Sequence, residues 1–156
     1  MIHNNFKGGY IVFIKKLFLT SLSEKIKKTI CVLRNMVAVK QTGFALQFVE
    51  NQTPEICLAA VRNDGWALEY VENQTPEICM TAVKQNGYAL EFVKEQTPEI
   101  CLAAVKQTGL ALKYVKEQTP EICLAAVRQE ERALCYIEDF NLKEEFKKKI
   151  RSMKGR

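Results

Sequence analysis

Histidine is nearly missing from this chain: His3 is the single one in 156 residues. Without a second imidazole, histidine-based acid–base chemistry and His-ligated metal sites have little to build on. Long apolar runs are lacking as well. Tyr10–Ile14 is cut by Lys15 and Lys16, and Leu17–Leu19 leads straight into Thr20 and Ser21. A membrane-spanning helix needs about 20 mostly apolar residues, and a secretory leader an unbroken run of about 7–15. A soluble cytoplasmic protein with no membrane partner is therefore expected. The chain also contains no Walker-type glycine loop, no HExxH and no GxSxG, the sequence marks of phosphate cradles, zinc peptidases and serine hydrolases. Its glutamates are spaced along the array rather than paired in a pocket, so neither an enzymatic role nor a cofactor is expected.

What is present is ordinary in amount and unusual in order. Hydrophobic residues make up 47% and charged residues 26%, the balance of a folded soluble domain, and the length suits one domain. The four prolines, Pro54, Pro76, Pro98 and Pro120, recur every 22 residues, each inside Gln-Thr-Pro-Glu-Ile-Cys. Gly43, Gly65, Gly87 and Gly109 keep the same step, as do Cys57, Cys79, Cys101 and Cys123. Self-similarity at a period of 20–50 residues is the mark of stacked repeat architectures.

Each unit carries its own punctuation. Thr53 is a favoured N-cap, Pro54 suits the first helical position, and Glu55 complements the positive end of the helix dipole. Ile56–Val61 continues as a helix apolar most of the way round, and Arg62 lies near its end. Asn63-Asp64-Gly65 is expected to supply a left-handed residue that stops it. Trp66–Val71 has the spacing of a second, shorter helix, and Glu72-Asn73-Gln74 turns into the next Thr-Pro. One continuous helix is excluded, because an interior Pro costs about 3 kcal/mol and Gly about 1 kcal/mol relative to Ala. The Ala-rich stretch ICLAAV lacks the alternation of a strand.

The expected fold is all-α: an α-solenoid of about five 22-residue helix-turn-helix repeats with N- and C-terminal capping helices. Residues 1–29 form the N-terminal segment and cap, 30–139 the array, and 140–156 a basic C-terminal cap and tail. Ser21-Leu22-Ser23-Glu24 reads as a capping box opening a helix with Ile26, Ile30, Leu33 and Val37 at helical spacing. Leu142, Phe146 and Ile150 share one face of the last helix. The first unit replaces Ile and Cys by Arg34 and Asn35, and the fifth replaces the glycine by Glu131.

The run Val-Lys-Gln-Asn-Gly-Tyr-Ala-Leu-Glu-Phe-Val, followed by Thr-Pro-Glu-Ile-Cys-Leu-Ala-Ala-Val, resembles the tandem repeat known as domain of unknown function 4116. That repeat is abundant in giant DNA viruses and occurs in some microbes. The resemblance implies a cytosolic or virus-encoded helical-repeat protein. It implies no activity, cofactor or partner.

Three ladders of side chains are candidates for function. The repeat cysteines sit at equivalent places in successive hairpins, about 8–10 Å apart, too far for disulfides and never converging on one metal. They are read as reduced core residues, with Cys135 as the most exposed thiol. Aromatic residues recur at Phe48, Tyr70, Phe92, Tyr114 and Tyr136, preceded by four residues by Phe44, Trp66 and Tyr88. Such rows either pack neighbouring repeats together or form a stacking groove. The row Phe44, Trp66, Tyr88, Leu110 and Arg132 varies most and is the candidate partner-facing row. The third ladder is charged, with Glu55, Glu77, Glu99 and Glu121 at helix starts and basic residues near helix ends, as the helix dipole favours.

Net charge is +5, unevenly placed. Residues 1–38 hold seven basic and one acidic residue, 39–138 nine and fourteen, and 139–156 seven and three. The ends are positive and the array is acidic. The expected function is a non-catalytic scaffold for protein–protein interaction or self-assembly, with a homodimer through the array ends or Tyr10–Leu19 as one form. The alternative is nucleic-acid binding through the basic termini and the aromatic row.

Overall fold

The structure is a computed structural model that describes residues 23–154. Ser21 and Leu22 of the expected capping box, and the segment Tyr10–Leu19, lie outside the described residues. Among the described residues six α-helices alternate with five short 3-10 helices. They are α1 (Glu24–Gln41), η1 (Gly43–Phe48), α2 (Pro54–Asn63), η2 (Gly65–Tyr70), α3 (Pro76–Gln85) and η3 (Gly87–Phe92). α4 (Pro98–Gln107), η4 (Gly109–Tyr114), α5 (Pro120–Gln129), η5 (Glu131–Tyr136) and α6 (Phe140–Lys154) complete the order. There is no strand among the described residues.

Local chemistry sets each α-helix start. Thr53, Thr75, Thr97 and Thr119 are extended at the N-cap, and their hydroxyls accept from the N–H three residues on, at 3.3–3.4 Å. The proline that follows has no N–H to leave unpaired. Backbone N–H and the Thr53 hydroxyl lower the Glu55 carboxyl from its ordinary range, and Glu99 behaves alike beside Thr97. α1 differs: it opens at Glu24 after Ser23, whose side chain makes no capping bond.

The second helix of every unit is a 3-10 helix, not an α-helix. Its six residues are closed at both ends by i→i+3 bonds, as in Ala67 N–H to Asp64 O at 3.0 Å and Val71 N–H to Leu68 O at 3.1 Å. Six residues are too few for several i→i+4 bonds, and the tighter winding suits short pieces.

The elements form two rows. From α1 to α5 each α-helix packs on the next and each 3-10 helix on the next 3-10 helix, while an α-helix in the array also touches the 3-10 helices of its own and the preceding unit; α6 meets η5. The core is the slot between the rows. In the unit from Gln74 it takes Ile78, Cys79, Ala82, Val83, Ala89, Leu90 and Val93, all buried, and the equivalent residues are buried in the neighbouring units. Burying one Leu, Ile or Val side chain stabilises by about 1.5–3 kcal/mol, and in this fold much of the cover comes from the adjoining unit. That is the stability logic of a solenoid.

The repeat glycines serve a purpose other than the expected left-handed stop. None has positive φ. Instead the chain passes so close to the next unit that a Cβ on Gly87 would lie 2.5 Å from the Ala104 carbonyl oxygen. Gly43, Gly65 and Gly109 meet the next unit's carbonyl at 2.6–2.8 Å. At the C-terminal end Phe146 is buried, with Leu142 and Ile150 packed beside it against the core. At the other end Val39 is buried and Val32 and Met36 pack against the core, but Ile26, Ile30, Leu33 and Val37 are exposed. The helical spacing of those four was anticipated; their exposure was not.

Candidate functional site

The 3-10 row presents an outer face. Each six-residue segment turns its third and fourth residues inward wholly or in part, and η1 to η4 also their first, a glycine where η5 has the exposed Glu131; the second, fifth and sixth are at the surface or half-buried. Five units therefore contribute fifteen outward positions: Phe44, Gln47 and Phe48 in the first, with equivalents at 22-residue steps to Arg132, Cys135 and Tyr136. Eight of the fifteen are aromatic. The polar turns and the outer sides of the α-helices carry charge and amide instead.

The predicted row Phe44, Trp66, Tyr88, Leu110 and Arg132 lies along this face. Phe44 and Arg132 are exposed, and Trp66, Tyr88 and Leu110 are half-buried. Each of its aromatics meets a ring of the next unit, not the ring four residues on in its own unit. Phe44 meets Tyr70 with centroids 6.1 Å apart, Trp66 meets Phe92 at 5.5 Å, and Tyr88 meets Tyr114 at 6.3 Å, all edge-to-face. Such pairs contribute about 0.5–1.5 kcal/mol beyond area burial. The two readings of the aromatic rows are thus compatible: the rings lock adjacent units by their edges and keep part of their surface outward. Phe48 has no preceding unit to lean on among the described residues and is 79% exposed.

Charge along the face changes sign. Glu69 and Glu91 are exposed in the second and third units, and Lys113 and Arg132 in the fourth and fifth. Lys113 Nζ lies 4.4 Å from the Tyr114 ring centroid and 5.6 Å from that of Tyr88. Interaction with Tyr114 holds the Lys113 ammonium above its ordinary pKa. Partial burial raises the Tyr70 phenol, and Glu69 adds to the effect. Arg132 is paired with Glu130 at 2.5 Å.

Two further ladders escaped the sequence reading, because their residues looked like turn filler. The first is Gln52, Gln74, Gln96 and Gln118. Gln74 Nε2 donates to the Phe92 carbonyl at 2.8 Å, while its Oε1 accepts from the Lys94 N–H at 3.0 Å and the Cys79 thiol at 3.6 Å. The other three span their own hairpins in the same way, from the turn before each to the turn after it. The second is Asn63, Gln85 and Gln107, whose side-chain oxygens accept the N–H of Gly43, Gly65 and Gly87 in the preceding unit at 2.7–2.9 Å. Their 22-residue recurrence, in the polar turn for the first ladder and at the helix end for the second, was the available signal.

The cysteine ladder is inward. Cys57, Cys79, Cys101 and Cys123 are buried free thiols, Cys31 is half-buried and Cys135 exposed. Burial raises the pKa of all four ladder thiols above 9.0, which disfavours the reactive thiolate. Among the described residues no three or more of His, Cys, Asp and Glu gather as metal ligands would. None of their helices is long and apolar enough to cross a membrane.

The repeated geometry agrees with the comparison to known families. The model of the family described as domain of unknown function (DUF4116) matches three times in tandem, over residues 53–97, 75–119 and 97–143. These overlapping matches cover more than half of the chain. The chain belongs to this family. Each DUF4116 match begins at a threonine N-cap and spans about two hairpins, so the family signature is the joint between units as much as the unit itself. No curated protein and no solved structure matches the chain.

Proposed function

We propose that this protein is a non-catalytic helical-repeat scaffold that binds another protein, or a second copy of itself, through its 3-10 face. The observation that supports this most is the aromatic density of that face, eight of fifteen outward positions. Protein interfaces are enriched in Tyr, Trp, Phe and Arg, and binding energy concentrates in a few such anchors. The rings are also held by edge contacts with the next unit, so they lose little freedom on binding. A single-stranded nucleic acid would use the same rings with nearby cations. Here Lys113 is drawn onto Tyr114, and Arg132 is paired with Glu130, so the protein reading is the better supported one.

A photo-crosslinking amino acid placed at Glu69 or Glu91 tests this against one placed at Glu55 or Glu77 on the α-helical side. Protein adducts are expected from the first pair, and Trp66→Ala should reduce them. Equal adducts from both sides, or adducts to nucleic acid alone, would refute the proposal.

A further inference from the structure

The N-terminal end of the array carries an apolar stripe that nothing in the described residues covers. Ile26, Ile30, Leu33 and Val37 recur along one side of α1 and are 47%, 42%, 61% and 57% exposed. Four large apolar side chains in one line are an unusual thing to leave in water and mark an interaction site. At Val37 the stripe reaches the side by which array helices meet the helix before them. Val37 and Gln41 stand one repeat ahead of Ala59 and Asn63, and Asn63 bonds back to Lys40 O at 2.9 Å. Ala125, at the same repeat position as Val37, borders the groove it shares with Lys106 of the preceding helix α4. α1 thus offers a seat where a preceding helix would pack.

The chain itself contains a match for that seat. Tyr10, Phe13, Ile14, Leu17 and Phe18 recur at i, i+3, i+4, i+7 and i+8, the spacing of an amphipathic helix, and Lys15 and Lys16 fall off that line. Only Thr20, Ser21, Leu22 and Ser23 separate Leu19 from the first residue of α1. Connections of 2–5 residues join antiparallel helices, and a tether this short keeps the segment at high effective concentration beside the stripe. We propose that the occupant of the stripe is the segment Tyr10–Leu19 of this same chain. A second copy stacking on that end would have to displace it.

Hydrogen exchange on the full chain tests this. Amides of residues 10–19 should be protected, independently of protein concentration. The pair Leu33→Asp and Val37→Asp should lower that protection about tenfold or more while α3 to α5 stay protected. Because those two side chains are exposed, the array should fold without them; protection in α4 reports whether it does. The reciprocal pair Phe13→Asp and Leu17→Asp should raise binding of a hydrophobic dye to the intact array. Unprotected amides at 10–19 in the unmodified chain would overturn the proposal. So would protection unchanged by the Asp pair, protection that grows with protein concentration (a second copy), or protection seen only with anionic phosphatidylserine vesicles (a lipid surface).

Discussion

Replacing Gly87 by alanine separates two explanations of the repeat glycine by the sign of the effect. If glycine were present only as a flexible link, Gly→Ala at a compatible backbone angle would stabilise by about 0.4–1 kcal/mol, by restricting the unfolded chain. Gly87 does not have positive φ, so strain of that kind does not enter. The new methyl would instead lie 2.5 Å from the Ala104 carbonyl oxygen and 2.9 Å from Gln107 Oε1. The Ala104 oxygen is not free to retreat, since it accepts the Thr108 N–H at 2.9 Å. Overpacking of this sort costs about 1–3 kcal/mol. Separating the units also weakens the 2.7 Å bond from Gly87 N–H to Gln107, worth about 0.5–1.5 kcal/mol. Urea denaturation followed by far-UV circular dichroism should show a lower midpoint with an unchanged slope. Adding Gln107→Ala removes the side-chain obstacle but not the backbone one, so the double variant should remain less stable than Gln107→Ala alone. A midpoint equal to or above that of the parent would refute the close-approach explanation.

Two further outcomes follow from the interior. Gln96→Ala removes the donor to Tyr114 O and the acceptor of Lys116 N–H and should cost about 1–3 kcal/mol by the same denaturation; a change within about 0.5 kcal/mol, ordinary for surface substitutions, would mean the clasp is ornamental. The ladder thiols bind their protons more tightly folded than unfolded, because burial raises their pKa above 9.0. Above that pH the unfolded chain binds fewer protons than the native one, so stability falls as pH rises. The urea midpoint should therefore drop between pH 8 and pH 10, and a variant with alanine at all four positions should drop less; an identical drop would exclude the thiols as its cause.

The parts legible in the sequence are those written in local chemistry. Thr53-Pro54-Glu55 specifies a helix start through capping, and the start is found there in four units. The inward set Ile56, Cys57, Ala60 and Val61 follows from apolar spacing alone. What was not legible depends on a neighbour that local pattern does not display. Asp64-Gly65 has the composition of a left-handed stop, yet the position is governed by the Ala82 carbonyl in the next unit, 2.8 Å from where a Cβ would be. Trp66–Tyr70 has helical spacing under either winding, and only its length between two fixed ends selects 3-10. Gln52 looked like a turn residue because its partners, Tyr70 O and Glu72 N–H, are 18 and 20 residues away. On the candidate face, the variable row was placed along the surface, but its rings proved to reach across the joint, which within-unit spacing could not reveal.

The glutamine clasp has a consequence for the history of such chains. Every clasp reaches across its own hairpin, 18 and 20 residues forward, and grips main-chain atoms, so it does not depend on which side chains that hairpin displays. Duplicating or deleting a whole 22-residue stretch rejoins donor and acceptor at the same separation, leaving each remaining seam as it was. Arrays of this kind can lengthen or shorten by recombination without passing through an ill-fitting intermediate, while the outward rings diversify at leisure.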